Sequence, residues 1–313
     1  MASQSIQKVI VIGASGSVGP HIVEALLAND FVVSVLTRTS SSRIFPPNVK
    51  VHRTDYSPSS LLEAFEGQHA VVSTIATIHT HQQISIIDAA ISAGVKHFIP
   101  SEFGIDTSSK TIGEVIPGAI GKHETVDYLR SKEYLGVSWT AICVGAFFDW
   151  AFQYPGLMGW DLSGRKATIY DGGETKYEAT NVKQIGHAVA ASLSADHLED
   201  TKNKYIYVNS FTTTQNEVLA ELERLTASKF EVTHQKTEDL HSIGIAMLKE
   251  DKGTVSRGGG DYTSGLVETI TSVIYGYGRL NEFSNTQGLW NNKLNLPKET
   301  IEETLERVVV KLA

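Results

Sequence analysis

Short apolar runs alternate with amphipathic stretches through the first half of this 313-residue chain. Residues 9–12 (Val-Ile-Val-Ile) are continuously apolar, as a strand buried on both faces must be. The following stretch places Ile22, Val23, Leu26 and Leu27 at helical spacing. Repeating this reading predicts strands at 8–13, 31–37, 48–53, 69–75, 95–100 and 137–144. The stretches between them predict helices at 17–29, 58–66, 80–93 and 118–135. Such alternation implies an α/β fold, a doubly wound parallel sheet with helices on both faces. Ligands then sit at the carboxyl ends of the strands.

The pattern changes after residue 145. Phe147, Phe148, Trp150, Phe152, Tyr154 and Trp160 crowd a stretch without clean periodicity, and Asp171-Gly172-Gly173 marks a turn. Helices are predicted at 182–194, 214–227, 236–250, 262–275 and 298–312. A strand at 204–208 returns to the sheet, and Arg257-Gly258-Gly259-Gly260-Asp261 reads as a flexible loop or hinge. The expected division is a nucleotide-binding domain over 1–150, with segments within 181–210 returning to it. Residues 151–180 and 211–313 form a smaller, helix-rich lobe.

Three glycines, Gly13, Gly16 and Gly19, fall between the first strand and the first helix. A sharp turn there gathers unpaired backbone N–H groups and the positive end of a helix dipole at one point, which suits a pyrophosphate. The candidate contacts are Gly13, Ser15, Gly16, Val18 and Gly19. The spacing is G-x-x-G-x-x-G, which carries weight only because a strand precedes it and a helix follows. Nineteen residues after Gly19, where an NAD site commonly places a carboxylate, stands Arg38, followed by Thr39, Ser40, Ser41, Ser42 and Arg43. Guanidiniums and hydroxyls without a carboxylate suit a 2′-phosphate, so the cofactor read from these residues is NADP(H). Arg43 is equally readable as a solvated loop residue.

Composition narrows the partners. The formal charge of −8 argues against nucleic acid and anionic membrane surfaces. No window approaches 18 uninterrupted apolar residues, and no basic-then-apolar leader opens the chain, so a cytoplasmic protein is expected. The single cysteine, Cys143, lies in an apolar run and reads as a buried reduced thiol. No heptad or interface strip appears, and the oligomeric state stays open. No metal site is expected: His79 and His81 have no acidic or thiol companions nearby.

With these elements placed, the chain resembles the NmrA-like branch of the atypical short-chain dehydrogenases/reductases, and within it the isoflavone-reductase-like reductases. Four segments carry the resemblance: Gly13-Ala-Ser-Gly-Ser-Val-Gly19, Arg38, the run 94–104 with its Pro-Ser-Glu-Phe-Gly ending, and Lys122 opening a helix before the strand at Val137. It is convincing over residues 8–150 and thin beyond. The resemblance implies a Rossmann-type fold and a lysine beside the nicotinamide, matched here by Lys122, as the acid/base residue.

Short-chain reductases usually carry Tyr-x-x-x-Lys. Tyr128 and Lys132 have that spacing, but they fall at the end of the helix far from the cofactor-facing side. If Lys122 takes the lysine's place, the tyrosine position is Gly118, and the usual tyrosine is missing. Lys122 then either transfers a proton or only hydrogen-bonds the nicotinamide ribose. Further cofactor candidates are Asp55, Ser73, Thr74 and Phe103, with Tyr56, Gln82 and Gln83 in reach. Asp55 is equally a helix cap. Glu102 reads as structural, accepting backbone N–H groups. His79, Phe103, Phe147, Phe148 and Trp150 are the candidate substrate pocket, with Tyr170, Tyr262 and Tyr275 as weaker members. The leading expectation is an NADPH-dependent reductase. It would act on a C=C, C=N or C=O group of an aromatic or alkaloid-like small molecule, as in secondary metabolism. The alternatives are an NADP(H)-binding redox sensor and a cofactor-holding isomerase or cyclase.

Overall fold

The computed structural model describes residues 5–250, 254–257, 260–263 and 265–312. Seven parallel strands form the central sheet: β1 (Lys8–Ile12), β2 (Val32–Arg38), β3 (Lys50–Thr54), β4 (Ala70–Ser73), β5 (His97–Ile99), β6 (Ser138–Cys143) and β7 (Lys204–Tyr207). Their order is β7-β6-β5-β4-β1-β2-β3. Strand order reverses between β1 and β4, and a doubly wound sheet opens its ligand crevice at that reversal. Ile12 pairs with Leu36 and with Ser73, so β1 and β4 end at one level and β2 runs two residues beyond it.

Alternation along each strand sorts its side chains to two faces. Val9, Val11, Val33 and Val35 pack on one side beneath α1 (Gly19–Ala28). Ile10, Ile12 and Leu36 pack on the other beneath α2 (Pro58–Phe65) and α3 (Gln83–Ser92), joined by α4 (Ile120–Ser131). Because both faces are covered, β1 is buried throughout after Lys8. α5 (Val182–Leu193) packs beside α1, and β7 joins the sheet edge parallel to β6, as expected from the sequence.

The second half adds short strands that the sequence did not announce. Ala146–Phe147, Tyr177–Thr180 and Phe211–Thr213 form one three-stranded sheet, and Trp160–Asp161, Lys166–Tyr170 and Glu231–Gln235 form another. These strands are two to five residues long, too short for alternation to register. The proposed hinge is instead an antiparallel hairpin of Thr254–Arg257 with Gly260–Thr263, residues 258–259 lying outside the described set. The four long helices fall where predicted, as α6 (Gln215–Thr226), α7 (Thr237–Lys249), α8 (Leu266–Ile274) and α9 (Ile301–Leu312). α8 starts four residues later than predicted because the hairpin occupies 260–263. Thr214 and Glu217 close a capping box on α6. A second apolar core, around Phe148, Trp160, Tyr177 and Tyr275, lies under these elements. No helix among the described residues is long and apolar enough to cross a membrane.

Candidate functional site

The glycine turn is built as the sequence requires. Gly13 has φ of +78°, and a Cβ there would lie 2.6–2.7 Å from Thr74 atoms. Thr74 itself ties to β1 through N–H and Oγ1 bonds of 2.9 and 2.8 Å to the Ile12 carbonyl. A Cβ at Gly19 would sit 2.5 Å from the Gly13 carbonyl oxygen, so the helix packs directly on the turn. No side chain caps the α1 N-terminus and no acidic residue lies in its first turn. Its leading N–H groups are therefore without an intrahelical or capping acceptor. Ser15 and Gly16 face solvent there, but the Val18 side chain is buried in the sheet core, leaving only its main chain at the turn.

Arg38 ends β2, exposed, close enough to Tyr56 that its charge partly offsets the burial that raises that phenol's pKa. Arg43 is exposed in the following loop. Sequence reasoning missed Arg53. Its guanidinium donates a 2.6 Å hydrogen bond to the Ser41 carbonyl, and its strand position pairs with Thr37, the neighbour of Arg38. Only strand register, invisible before folding, brings it there. Asp55 accepts from Ser57 N–H at 2.9 Å and Ser57 Oγ at 2.6 Å, which holds its carboxyl below its ordinary pKa. Ser57, not Asp55, caps α2. Ser73 is buried at the end of β4 and its hydroxyl has no partner. Gln83 is neither a surface residue nor turned outward. It is wholly buried, accepting from Ser101 N–H at 2.9 Å and donating to Thr125 Oγ1 at 3.4 Å.

Lys122 lies in the first turn of α4 and is 9% exposed. Its Nζ donates to the Glu102 main-chain carbonyl at 2.7 Å. Burial pulls its pKa down, and the Glu102 charge opposes that shift. A Cβ at Gly118 would meet the Leu266 side chain at 3.1 Å, so this backbone leaves little room for a tyrosine there. Tyr128 and Lys132 form a half-buried pair at the far end of α4, with the ammonium 4.7 Å from the ring centroid and Tyr128 OH donating 2.5 Å to Asp88.

Beside Lys122 opens a cavity of about 140 Å³ with a mainly apolar wall. Phe103, Phe147 and Trp150 line it, with Phe147 and Trp150 edge to face at 6.0 Å. Two expected members do not. Phe148 turns into the second core, against Phe152 at 5.2 Å and Phe211 at 4.9 Å, because it follows Phe147 and opens a four-residue helix, Phe148–Ala151. His79 is exposed on the 3-10 turn Thr77–Gln82, from which Thr77 reaches the cavity instead. Tyr170 and Tyr275 stack at 5.2 Å as core, and the side chain of Tyr262 is outside the described set. The missed wall is Val267, Ile270, Thr271 and Ile274 of α8. Their i, i+3, i+4, i+7 spacing announces an apolar face, but not whether it meets a core or a cavity.

Glu102 also corrects its expected role. It does not collect backbone N–H groups. Its Oε2 accepts from the Thr107 hydroxyl, and its buried Oε1 has no partner. Burial pushes this carboxyl up to about 7, against the pull of Lys122. A larger open depression of about 490 Å³, bordered by Lys96, Ser138 and Asn203, lies at the opposite, amino ends of the strands, away from every motif above.

Comparison with known proteins agrees with this architecture. The NmrA-like family model matches residues 5–303. Oxidoreductase aprR of Aspergillus flavus is 36% identical over 306 residues, covering 96% of this chain and 98% of its own. Two solved structures superpose on the whole fold. AtPrR2 with NADP+ and (+)pinoresinol has a TM-score of 0.74 at 23% identity, covering 98% of this chain and 100% of its own. The leucoanthocyanidin reductase–NADPH complex from Vitis vinifera has a TM-score of 0.76 at 18% identity, covering 97% and 99%. The chain belongs to the NmrA-like family.

Proposed function

We propose that this protein is an NADPH-dependent reductase of an aromatic or alkaloid-like small molecule, with Lys122 acting on the proton. The observation that carries the reading is a desolvated amine in the wall of an apolar cavity, on the helix that follows β5. Related proteins that share the architecture are named as oxidoreductases or were solved with NADP(H).

The glycine turn fits a dinucleotide. Its main chain has no room for a Cβ at Gly13 or Gly19, and the α1 N–H groups beyond it have no side-chain acceptor. Gly13, Ser15, Gly16, Gly19 and the Val18 main chain would hold the pyrophosphate. Arg38, with Arg43 and Arg53 in support, would hold the 2′-phosphate. Ser73, Thr74 and Phe103 would line the path toward the nicotinamide, and Asp55 the adenine side. NADPH supplies the hydride when bound.

The chain supplies the rest. Phe147, Trp150 and the α8 face exclude water and accept a flat apolar body. The reduced group gains negative charge, which needs a proton or a cation beside it. Lys122 offers either, because burial has already weakened its hold on the proton. Its tether to the Glu102 carbonyl fixes the amine at the cavity wall.

The test is substrate-dependent NADPH oxidation, with Lys122→Met as control. The reading expects turnover in the parent and a loss of most of it in the variant, with NADPH binding retained. Tight NADPH binding without oxidation across a broad aromatic panel points to a sensor. A product of unchanged mass points to an isomerase.

A further inference from the structure

We propose that Glu102 is a positioning residue for Lys122, its half-satisfied carboxyl governing whether the neighbouring amine keeps its proton. This rests on the reading of Lys122 given above. The argument begins from a contrast inside the same molecule. Glu178 is also fully buried, and four donors satisfy it: Asn209 Nδ2 at 2.6 Å, Thr212 Oγ1 at 2.7 Å, and Ser284 N–H and Oγ at 2.8 and 2.6 Å. That is how a carboxylate held for the fold is buried. Glu102 is equally buried but has one donor, Thr107, and an Oε1 without any. A carboxylate so treated carries an uncompensated desolvation cost that holding the fold does not explain.

What Glu102 does touch is the site. Its own carbonyl anchors Lys122 Nζ at 2.7 Å, and its single donor, Thr107, lines the same cavity as Lys122. The Thr107 carbonyl in turn meets His123 Nδ1 at 2.9 Å, one residue along from Lys122. The other titratable groups packed around the pair do not supply the switch. Cys143 on β6 and Tyr205 and Tyr207 on β7 are all pushed upward by burial and stay neutral. Asp106 is held by Ser108 N–H at 2.9 Å, Tyr207 OH at 3.3 Å and Gln287 Nε2 at 3.4 Å. His123 Nε2 faces Asp127 at 3.3 Å, toward the surface.

The two charges act on each other. Ionised Glu102 raises the proton affinity of Lys122, and burial lowers it. Removing the ionisable oxygen leaves burial unopposed, so Lys122 releases its proton at lower pH. A neighbouring opposite charge in a desolvated site is worth about one pH unit or more, roughly tenfold in proton affinity.

The experiment titrates the Lys122 side chain in the NADP+ complex by NMR, its resonance identified by loss in Lys122→Met. In Glu102→Gln its midpoint moves down by about one unit. The kcat profile limb assigned to Lys122 moves by the same amount. Thr107→Val, which removes the one donor that favours ionised Glu102, moves the midpoint the same way by less, and serves if Glu102→Gln fails to fold. An unchanged Lys122 midpoint in the folded variants, or a uniform loss of kcat at every pH, overturns the proposal. The NMR arm needs no substrate, so it stands apart from the reaction reading: a shifted midpoint with undiminished turnover in Lys122→Met would sink the catalytic role and keep the coupling.

Discussion

Replacing Arg38 with alanine separates binding of the 2′-phosphate from binding of the rest of the cofactor. Arg38 ends β2 at the carboxyl edge of the sheet, and its exposed guanidinium serves no core or helix cap, so the fold loses nothing by its removal. A hydrogen bond to a charged group contributes about 1.5–3 kcal/mol. Exposure and the nearby Arg43 and Arg53 place Arg38 at the low end of that range. At about 1.4 kcal/mol per tenfold, the variant loses roughly 10- to 30-fold in NADPH affinity. NADH, which lacks the 2′-phosphate, changes by less than about twofold on the same argument. The assay is fluorescence titration with both cofactors at two salt concentrations, the NADPH loss shrinking at high salt. Equal losses for NADPH and NADH would refute the assignment, because Arg38 would then support the loop or the adenine side instead. No loss for either would move the 2′-phosphate to Arg43 or Arg53.

The remaining predictions fall on separate parts of the molecule. Gly13→Ala forces a methyl onto Thr74 from a positive φ, costing about 3 kcal/mol or more, or roughly 6–12 °C in melting temperature by calorimetry. Phe148→Ala empties part of the second core and costs about 3–5 kcal/mol in urea unfolding, whereas Phe147→Ala raises KM with a smaller stability loss. His97 is wholly buried between Ser138 and Thr140, and burial depresses its pKa to about 3. The unfolded chain therefore binds a proton below the ordinary value of 6.5 that the folded chain refuses. Stability falls as pH drops from 6.5 toward 3, by roughly 2 kcal/mol between pH 6.5 and 4.5, and His97→Gln removes that slope in urea titrations.

The sheet was legible because each strand from β1 to β6 is long enough, or flanked by a clear enough helix, for the switch between periods to show. The glycine turn and Arg38 were legible because nucleotide binding places them at fixed distances along the chain. Lys122 could be separated from Lys132 because only the first turn of α4 faces the carboxyl edge, and the structure puts it there. What stayed hidden depends on contacts between distant segments. Arg53 reaches Ser41 only through β2–β3 register. Phe147 and Phe148 are neighbours of the same type, and one backbone turn sends one to the cavity and the other to the core. The α8 wall carries a pattern that a core face would carry equally. The half-satisfied carboxyl of Glu102 is a property of burial, which no spacing reports.

The most direct test of the reductase reading is transfer of label from the cofactor. NADPH deuterated at nicotinamide C4, in each stereochemical form, is incubated with the protein and aromatic compounds bearing C=C, C=N or C=O groups. Mass spectrometry of the products then reads the outcome. The account predicts that one of the two forms delivers a single deuterium to a product two hydrogens richer, and that Lys122→Met largely abolishes it. Tightly bound NADPH with no label transferred to any compound, or a product formed with no gain in mass, would contradict it.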